Sequence, residues 1–406
     1  MTGPLAGVRI LDLSRILAAP LASQLLADLG ADVIKVERPG VGDDARQYGP
    51  PFFGDPQDNQ SGFYLSANRN KRSITVDHSH PDGAALIAEL ADNSDVLLEN
   101  YRAGVLAKYG LDQASLRARN PQLVYCSVTG FGQDGPYAMR PGYDGVFQAM
   151  SGMMSVSGVP DGEPGAGPMK VGVSMVDILT GLYASSAILA ALHHRDAVSG
   201  AGQFIDLALL DCGLAALSHY AQNYLVSGVA APRRGNGGFG GIPSQAFLCA
   251  DGEEIFVVAS TPGQWSALSA ALGRPELATD PRFATVSARI ANRDLVLATL
   301  ITIFAEDDAA HWVRRLEDAD VPVSLVNTMD GVFADPQIQF RQMRRTITDA
   351  RGAKLDLLGN PIRFSDTPLQ TYQAPPTLGA HTHEVLRTVL GKSAADIEEL
   401  QAREVI

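Results

Sequence analysis

Along the first 130 residues, short apolar runs alternate with segments whose apolar positions recur at helical spacing. Residues 8–13 (VRILDL) read as a strand and 20–29 as a helix stopped by Gly30. Residues 32–37 (DVIKVE) read as a second strand, closed by Pro39 and Gly40. The pattern predicts further strands over 73–76, 95–99 and 123–128, and a helix that Asp82 caps and that runs to about residue 92. Strand–helix–strand alternation with short loops predicts an α/β fold, a parallel sheet with helices on both faces.

The second half changes character twice. Residues 177–194 (DILTGLYASSAILAALHH) predict a helix whose small side chains permit close backbone packing, ended by Gly200 and Gly202. A strand over 204–209 and a long apolar helix to about Tyr224 follow. Residues 227–241 are rich in Gly and read as a linker. Beyond it, a strand over 254–259 and helices over 264–272, 292–305 and 308–319 make a smaller α+β unit. The tail carries an apolar run at 321–326, a turn-rich region over 352–364 and a helix near His383. The expected domains are therefore 1–228 (large), 229–330 (small, α+β) and 331–406 (a return to the large domain).

Charge and cysteine content narrow the function classes. A net charge of −13 argues against broad nucleic-acid or anionic-membrane binding, though it leaves room for a basic pocket. Cys126, Cys212 and Cys249 are scattered in apolar settings without metal-type spacing, which reads as buried thiols in a reducing compartment. The N-terminus lacks the layout of a secretory signal, and nowhere do 18 apolar residues run uninterrupted. The expectation is a cytoplasmic enzyme with no metal, no nucleic-acid partner and no membrane span.

Nucleotide motifs are missing where the fold would place them. After the first strand the chain reads SRILAAP instead of G-x-G-x-x-G, and no phosphate-binding G-x-x-x-x-G-K-[ST] loop occurs. Asn70, Lys71 and Arg72 next to one strand and Arg38 at the end of another could be solvated charges, or two cationic groups for a polyanion such as a diphosphate. Residues 235–241 (GNGGFGG) could be a flexible linker or a mobile lid whose bare backbone approaches a substrate. Asp177 could be a helix cap or a reactive carboxylate.

Taken in order, the stretches LAGVRILDLSRILAAP, LADLGADVIKVERPGVGDDAR, NRNKRSITVD, DVLLENYRAGVLAKYGL, NPQLVYCSVTGFGQDGPY, RPGYDGVFQAMSG, VDILTGLYA, GAGQFIDLALLD and LGAHTHEVL resemble the family III coenzyme A transferases. The resemblance implies a Rossmann-like large domain built from both chain ends, a small domain, and two chains threaded through each other as an interlocked-ring homodimer. It implies coenzyme A, carried as an acyl-CoA donor, and a carboxylic acid acceptor. It makes Asp177, in DILTG, the nucleophile. It places coenzyme A along Arg15, Ile16 and Leu17, with Arg38 on its phosphates and adenosine. Further contacts would come from Val76, Asp77, His78 and Ser79, from Asn100, Tyr101 and Arg102, and from Lys108. The family's glycine lid corresponds to Gly237, Gly238, Phe239, Gly240 and Gly241, although GGFGG departs from the His-containing segment of many relatives.

The implied route has the Asp177 carboxylate attack the donor thioester to give a mixed anhydride and a thiolate. The thiolate then forms an aspartyl thioester, releasing the donor acid, and the acceptor acid reverses both steps. The racemase branch of the same superfamily needs a second acid/base group, a His in a G-H-D segment. This chain has Gly142, Tyr143 and Asp144 there. A non-catalytic CoA-binding scaffold is the other alternative. The stretches GDDARQYGPPFFG and YLSANRNKRSI look most like the branch that uses succinyl-CoA with short dicarboxylic acids, whose remote carboxylate Arg233 or Arg234 could meet.

Overall fold

The computed structural model describes residues 3–55, 58, 60–238 and 240–406. Six strands form one parallel sheet: β1 (Arg9–Asp12), β2 (Asp32–Glu37), β3 (Lys71–Thr75), β4 (Val96–Glu99), β5 (Val124–Thr129) and β6 (Phe204–Ala208). Their order is β3-β2-β1-β4-β5-β6. All six residues of β2 and all six of β5 are buried. That is why these strands read as near-continuous apolar runs instead of alternating ones. The order reverses between β1 and β4, and a crevice at the carboxyl ends of such strands is where open α/β sheets bind ligands.

Helices cover both faces. On one side α1 (Ala18–Asp28) packs along α4 (Met175–His194), burying Ala22, Leu26, Ala184 and Ile188. The small-residue sequence of α4 permits this approach: a Cβ on Gly181 would lie 2.7 Å from the Ala18 carbonyl oxygen. On the other side α2 (Pro81–Asp92) and α7 (Thr382–Leu390) bury Leu86, Ile87, Leu90 and Val385. The α2 cap is His80, whose ring accepts the Asp82 N–H at 3.1 Å; Asp82 itself lies inside the helix. The tail is anchored by the Asp77 N–H donating to the Val405 carbonyl at 2.8 Å.

The expected single helix up to residue 224 is two, α5 (Leu209–Ala216) and α6 (His219–Ser227). They are broken at Ser218, whose φ of 45° interrupts the helical path. Segment Met175–Ser199 is long and apolar enough, by length and composition, to cross a membrane. Here it is the packed partner of α1 and β5.

Two compact units emerge from the contacts. The first contains Met1–Met154, Lys170–Ala230 and Arg341–Ile406; the second contains Ser155–Met169 and Ala231–Phe340. The second has its own three-stranded antiparallel sheet, with Glu254–Val258 between Ser244–Leu248 and Val323–Leu325. Its core gathers Trp265, Phe304 and Trp312. Fully buried Arg289 donates to the carbonyls of Ile242, Phe283 and Ser260. All three cysteines are free and buried.

Candidate active site

The loop that follows β1 is held from three directions. The backbone N–H of Arg15 donates to Asn100 Oδ1 at 2.8 Å, and Asn100 Nδ2 donates back to the Arg15 carbonyl at 2.7 Å. The Ile16 N–H donates to Asp43 Oδ1 at 3.1 Å. Lys35 Nζ donates to the Ser14 carbonyl at 2.8 Å. Ile16 adopts φ 72°, a region a β-branched residue enters only when its surroundings over-determine it. The clamp is thus a tertiary construction, since Asn100 follows β4 and Asp43 lies beyond β2.

Beneath the loop lies a buried ionic network. Lys35 pairs with Asp43 at 2.9 Å and Lys71 with Asp12 at 3.1 Å, all four side chains being inaccessible to solvent. Burial alone would raise the Asp12 carboxyl, but Lys71 and Lys35 overcome it and hold the group below its ordinary value. Burial lowers Lys71 to about 8 in spite of Asp12. Arg69 pairs with Asp28, and Arg72 with Asp32 and Glu384. The cluster around Lys71 is therefore neutralised by the fold and offers no polyanion site, contrary to one of the two sequence readings. Charges this deep persist only when paired.

Nearby, a cavity of about 230 Å³ opens at the carboxyl ends of β1, β4 and β5. Its lining includes Arg15, Ile16, Leu17, Asn100, Tyr101, Arg102 and Asp177. Segments far apart in sequence thus meet at one carboxylate. Arg15 pairs with Asp44 at 3.4 Å and lies 4.9 Å from the centre of the Tyr101 ring, and Arg38 pairs with the same Asp44 at 2.7 Å. Val76, His78 and Arg38 line a narrower pocket beside it, where His78 packs edge-on against Tyr101. Burial lowers the His78 pKa, favouring the neutral ring.

Other expected contacts lie further out. Asp77 accepts the N–H and hydroxyl of Ser79, and that hydrogen bonding leads in lowering its pKa. Asp77, Ser79 and exposed Lys108 do not line either of these cavities.

Asp177 is not the cap of its helix. It sits in the first turn of α4, after Ser174, whose side chain makes no capping bond. The cap comes from helix α3 (Asp144–Met150): Asp144 Oδ1 accepts the N–H of Val176 at 2.8 Å and of Asp177 at 3.2 Å. Asp144 Oδ2 accepts Gln148 Nε2 at 2.6 Å. The Asp177 side chain is thereby left to face the cavity. Burial, with a smaller contribution from the Asp144 charge, lifts its pKa from 3.8 to about 7. The sequence pattern alone did not single out Asp144; its signal was the GYD segment where the racemase branch has GHD.

The glycine-rich stretch belongs to the second unit. The Gly238 N–H donates to the Ser244 carbonyl at 2.7 Å. A Cβ on Gly238 would lie 2.8 Å from Ser244 Oγ, and one on Gly241 would lie 2.1 Å from Ser260 Cβ. Glycine is needed at these positions for close packing as much as for freedom. Gly237 is crowded by Arg293, whereas Gly240 is open. Phe239 lies outside the described residues. Arg233 is engaged by Asp161 and donates to the Val159 carbonyl at 3.0 Å, and Arg234 has partners of its own.

A parallel sheet with a crevice at its switch point, cationic side chains along it and the Asp177 carboxylate in its lining suits an α/β group-transfer enzyme without the usual dinucleotide loop. The chain belongs to CoA-transferase family III, which it matches over residues 5–382. It is 44% identical to the succinate–glutarate CoA-transferase of Agrobacterium fabrum, over 94% of this chain and 95% of that protein. It is 40% identical to the human succinyl-CoA:glutarate CoA-transferase, over 99% and 90%. A CAIB/BAIF family protein from Brucella suis has the same fold, with a TM-score of 0.85 and 43% identity over 96% of this chain and 100% of that one. The protein is accordingly a CoA-transferase, acting on CoA thioesters and carboxylic acids.

Proposed function

We propose that the enzyme moves coenzyme A from succinyl-CoA to a short dicarboxylic acid of the glutarate type, with Asp177 as the covalent carboxylate. The observation that carries the reading is the placement of Asp177: it lines the cavity with no ion partner among the described residues, while Asp144 fixes the backbone beneath it. The other lining carboxylate, Asp44, is occupied by Arg15 and Arg38. Relatives at 40–44% identity named for succinyl or succinate and glutarate support the substrate pair.

In this route Asp177, ionised, attacks the thioester carbonyl; the departing thiolate returns to the aspartyl carbonyl and expels succinate. The acceptor carboxylate then attacks the enzyme thioester, and the thiolate attacks the new anhydride to release the product thioester. Each step exchanges one acyl bond for another of similar energy. The clamped loop from Arg15 to Leu17, with Arg38, His78, Asn100, Tyr101 and Arg102, would carry the coenzyme. Among the described residues that line the cavity there is no histidine, which disfavours the two-base racemase route.

A homodimer of interlocked chains fits the surface. Leu182, Tyr183 and Leu189 on α4 and Tyr224, Leu225 and Val226 on α6 are exposed apolar side chains that a partner chain would cover. Buried free thiols fit a reducing compartment such as the cytoplasm.

The test is to mix the enzyme with succinyl-CoA, quench, treat with hydroxylamine and map the modified peptide by mass. A hydroxamate on Asp177, absent from Asp177→Asn, is the expected result. Undiminished exchange by a folded Asp177→Asn protein would refute the route.

A further inference from the structure

The geometry points to Arg140 as the specificity-determining residue that holds the non-reacting carboxylate of the dicarboxylic acid, an inference that rests on the reading above. Among the described residues, three arginines line the Asp177 cavity: Arg15, Arg102 and Arg140. Arg15 is committed to Asp44. Arg140 lies with its guanidinium 3.7 Å from the centre of the Tyr137 ring and, among the described residues, forms no side-chain hydrogen bond or ion pair. Stacking uses the flat face of a guanidinium and leaves its in-plane N–H donors for a carboxylate, which they match two at a time. Of Arg233 and Arg234, the two candidates the sequence offers for this role, Arg233 is occupied by Asp161 and Val159, and Arg234 has partners of its own.

The chain path ties Arg140 to the reacting carboxylate. Pro141, Gly142 and Tyr143, which also line the cavity, lead directly from Arg140 to Asp144. Asp144 in turn grips the backbone of Val176 and Asp177. The cation and the nucleophile are therefore joined through four residues and a pair of hydrogen bonds. An acid with a second carboxylate a short methylene chain away, about 5 Å between carboxyl carbons in an extended five-carbon diacid, would bring that charge into a cavity already holding Asp177 and Asp44. Without a countercharge it would be repelled and poorly solvated. Arg102 also reaches the cavity, but it borders a second one, lined by Glu99 and Asp112, and follows directly from the Asn100 clamp. This placement suits the coenzyme side.

The experiment compares the full-length parent with Arg140→Gln, Arg140→Lys and Arg102→Gln. Succinyl-CoA is the donor, and glutaric acid is run against pentanoic acid, which has the same chain without the second carboxylate. Where pentanoic acid turns over too slowly, its inhibition constant serves instead. Arg140→Gln is expected to lower the preference for the diacid, taken as the ratio of kcat/KM values, about ten- to a hundredfold, mostly through KM. Arg140→Lys should recover part of it, and Arg102→Gln should leave the ratio near that of the parent. Equal losses for both acids in Arg140→Gln, or an unmoved ratio, would overturn the assignment. Mass detection of the Asp177 adduct in the parent separates the two readings: adduct present with the ratio unmoved removes Arg140 alone, whereas no adduct in the parent removes the aspartyl route.

Discussion

Replacing Asp177 with Asn should stabilise the fold while stopping the exchange, and the gain should depend on pH. The buried position beside Asp144 raises the Asp177 ionisation from 3.8 to about 7. A carboxyl whose folded-state value is raised stabilises the fold fully only below its unfolded value, and that contribution is lost as pH climbs to the folded value. Stability of the parent should therefore decline between about pH 4 and pH 7 on account of this group, and level off above. At 1.36 kcal/mol for each tenfold change, the limit is about 4 kcal/mol; the partial exposure of Asp177 halves it to about 2 kcal/mol. Asparagine keeps the shape and cannot ionise. Calorimetric melts of parent and Asp177→Asn across pH 5 to 8.5 should show the variant melting a few degrees higher at pH 8 and the difference shrinking towards pH 5. A variant no more stable than the parent at pH 8, or a difference that grows towards acid, would refute the claim that the fold holds this carboxylate at a cost.

Four further outcomes follow from the same geometry. If Asp177 is the nucleophile it must be ionised, and kcat/KM of the parent should then fall about tenfold for each pH unit below about 7 and flatten above it, as read from a pH–rate profile. Gly181→Ala would push a Cβ to 2.7 Å from the Ala18 carbonyl oxygen, and the forced separation of α1 and α4 should cost about 1–3 kcal/mol in urea unfolding. Lys35→Met should cost about 3–5 kcal/mol, because it strands the buried Asp43 carboxylate and the Ser14 carbonyl, and adding Asp43→Leu should recover part of the loss. Asn100→Ala removes both bonds to the Arg15 backbone, so the KM for acyl-CoA should rise about tenfold or more while the melting temperature moves little by comparison.

If α4 and α6 meet a second chain, the exposed Leu182, Tyr183 and Leu225 are covered, and unfolding is coupled to association. Comparisons between variants then belong at one protein concentration.

Local periodicity determined a great deal. Strand β2 is observed over Asp32–Glu37, the same six residues that the apolar run marks, because a parallel strand buried on both faces carries its environment in its own sequence. The helix around Asp177, the change of character after residue 227 and the lack of a dinucleotide loop were equally readable, since Gly, Pro and apolar spacing act over a few residues. Only the tertiary structure decided which charges are paired and which face the cavity. The sequence left Lys71 as either a solvated charge or a ligand-binding cation; Asp12, 59 residues away, neutralises it in the core. The pattern around Asp177 fitted either a cap or a reactive carboxylate; Asp144, 33 residues away, takes the capping task and leaves the side chain facing the cavity. Arg140 gained meaning once the fold brought it into the same cavity. Pairing, burial and the freedom of a polar group are properties of distant neighbours, and no window of sequence contains them.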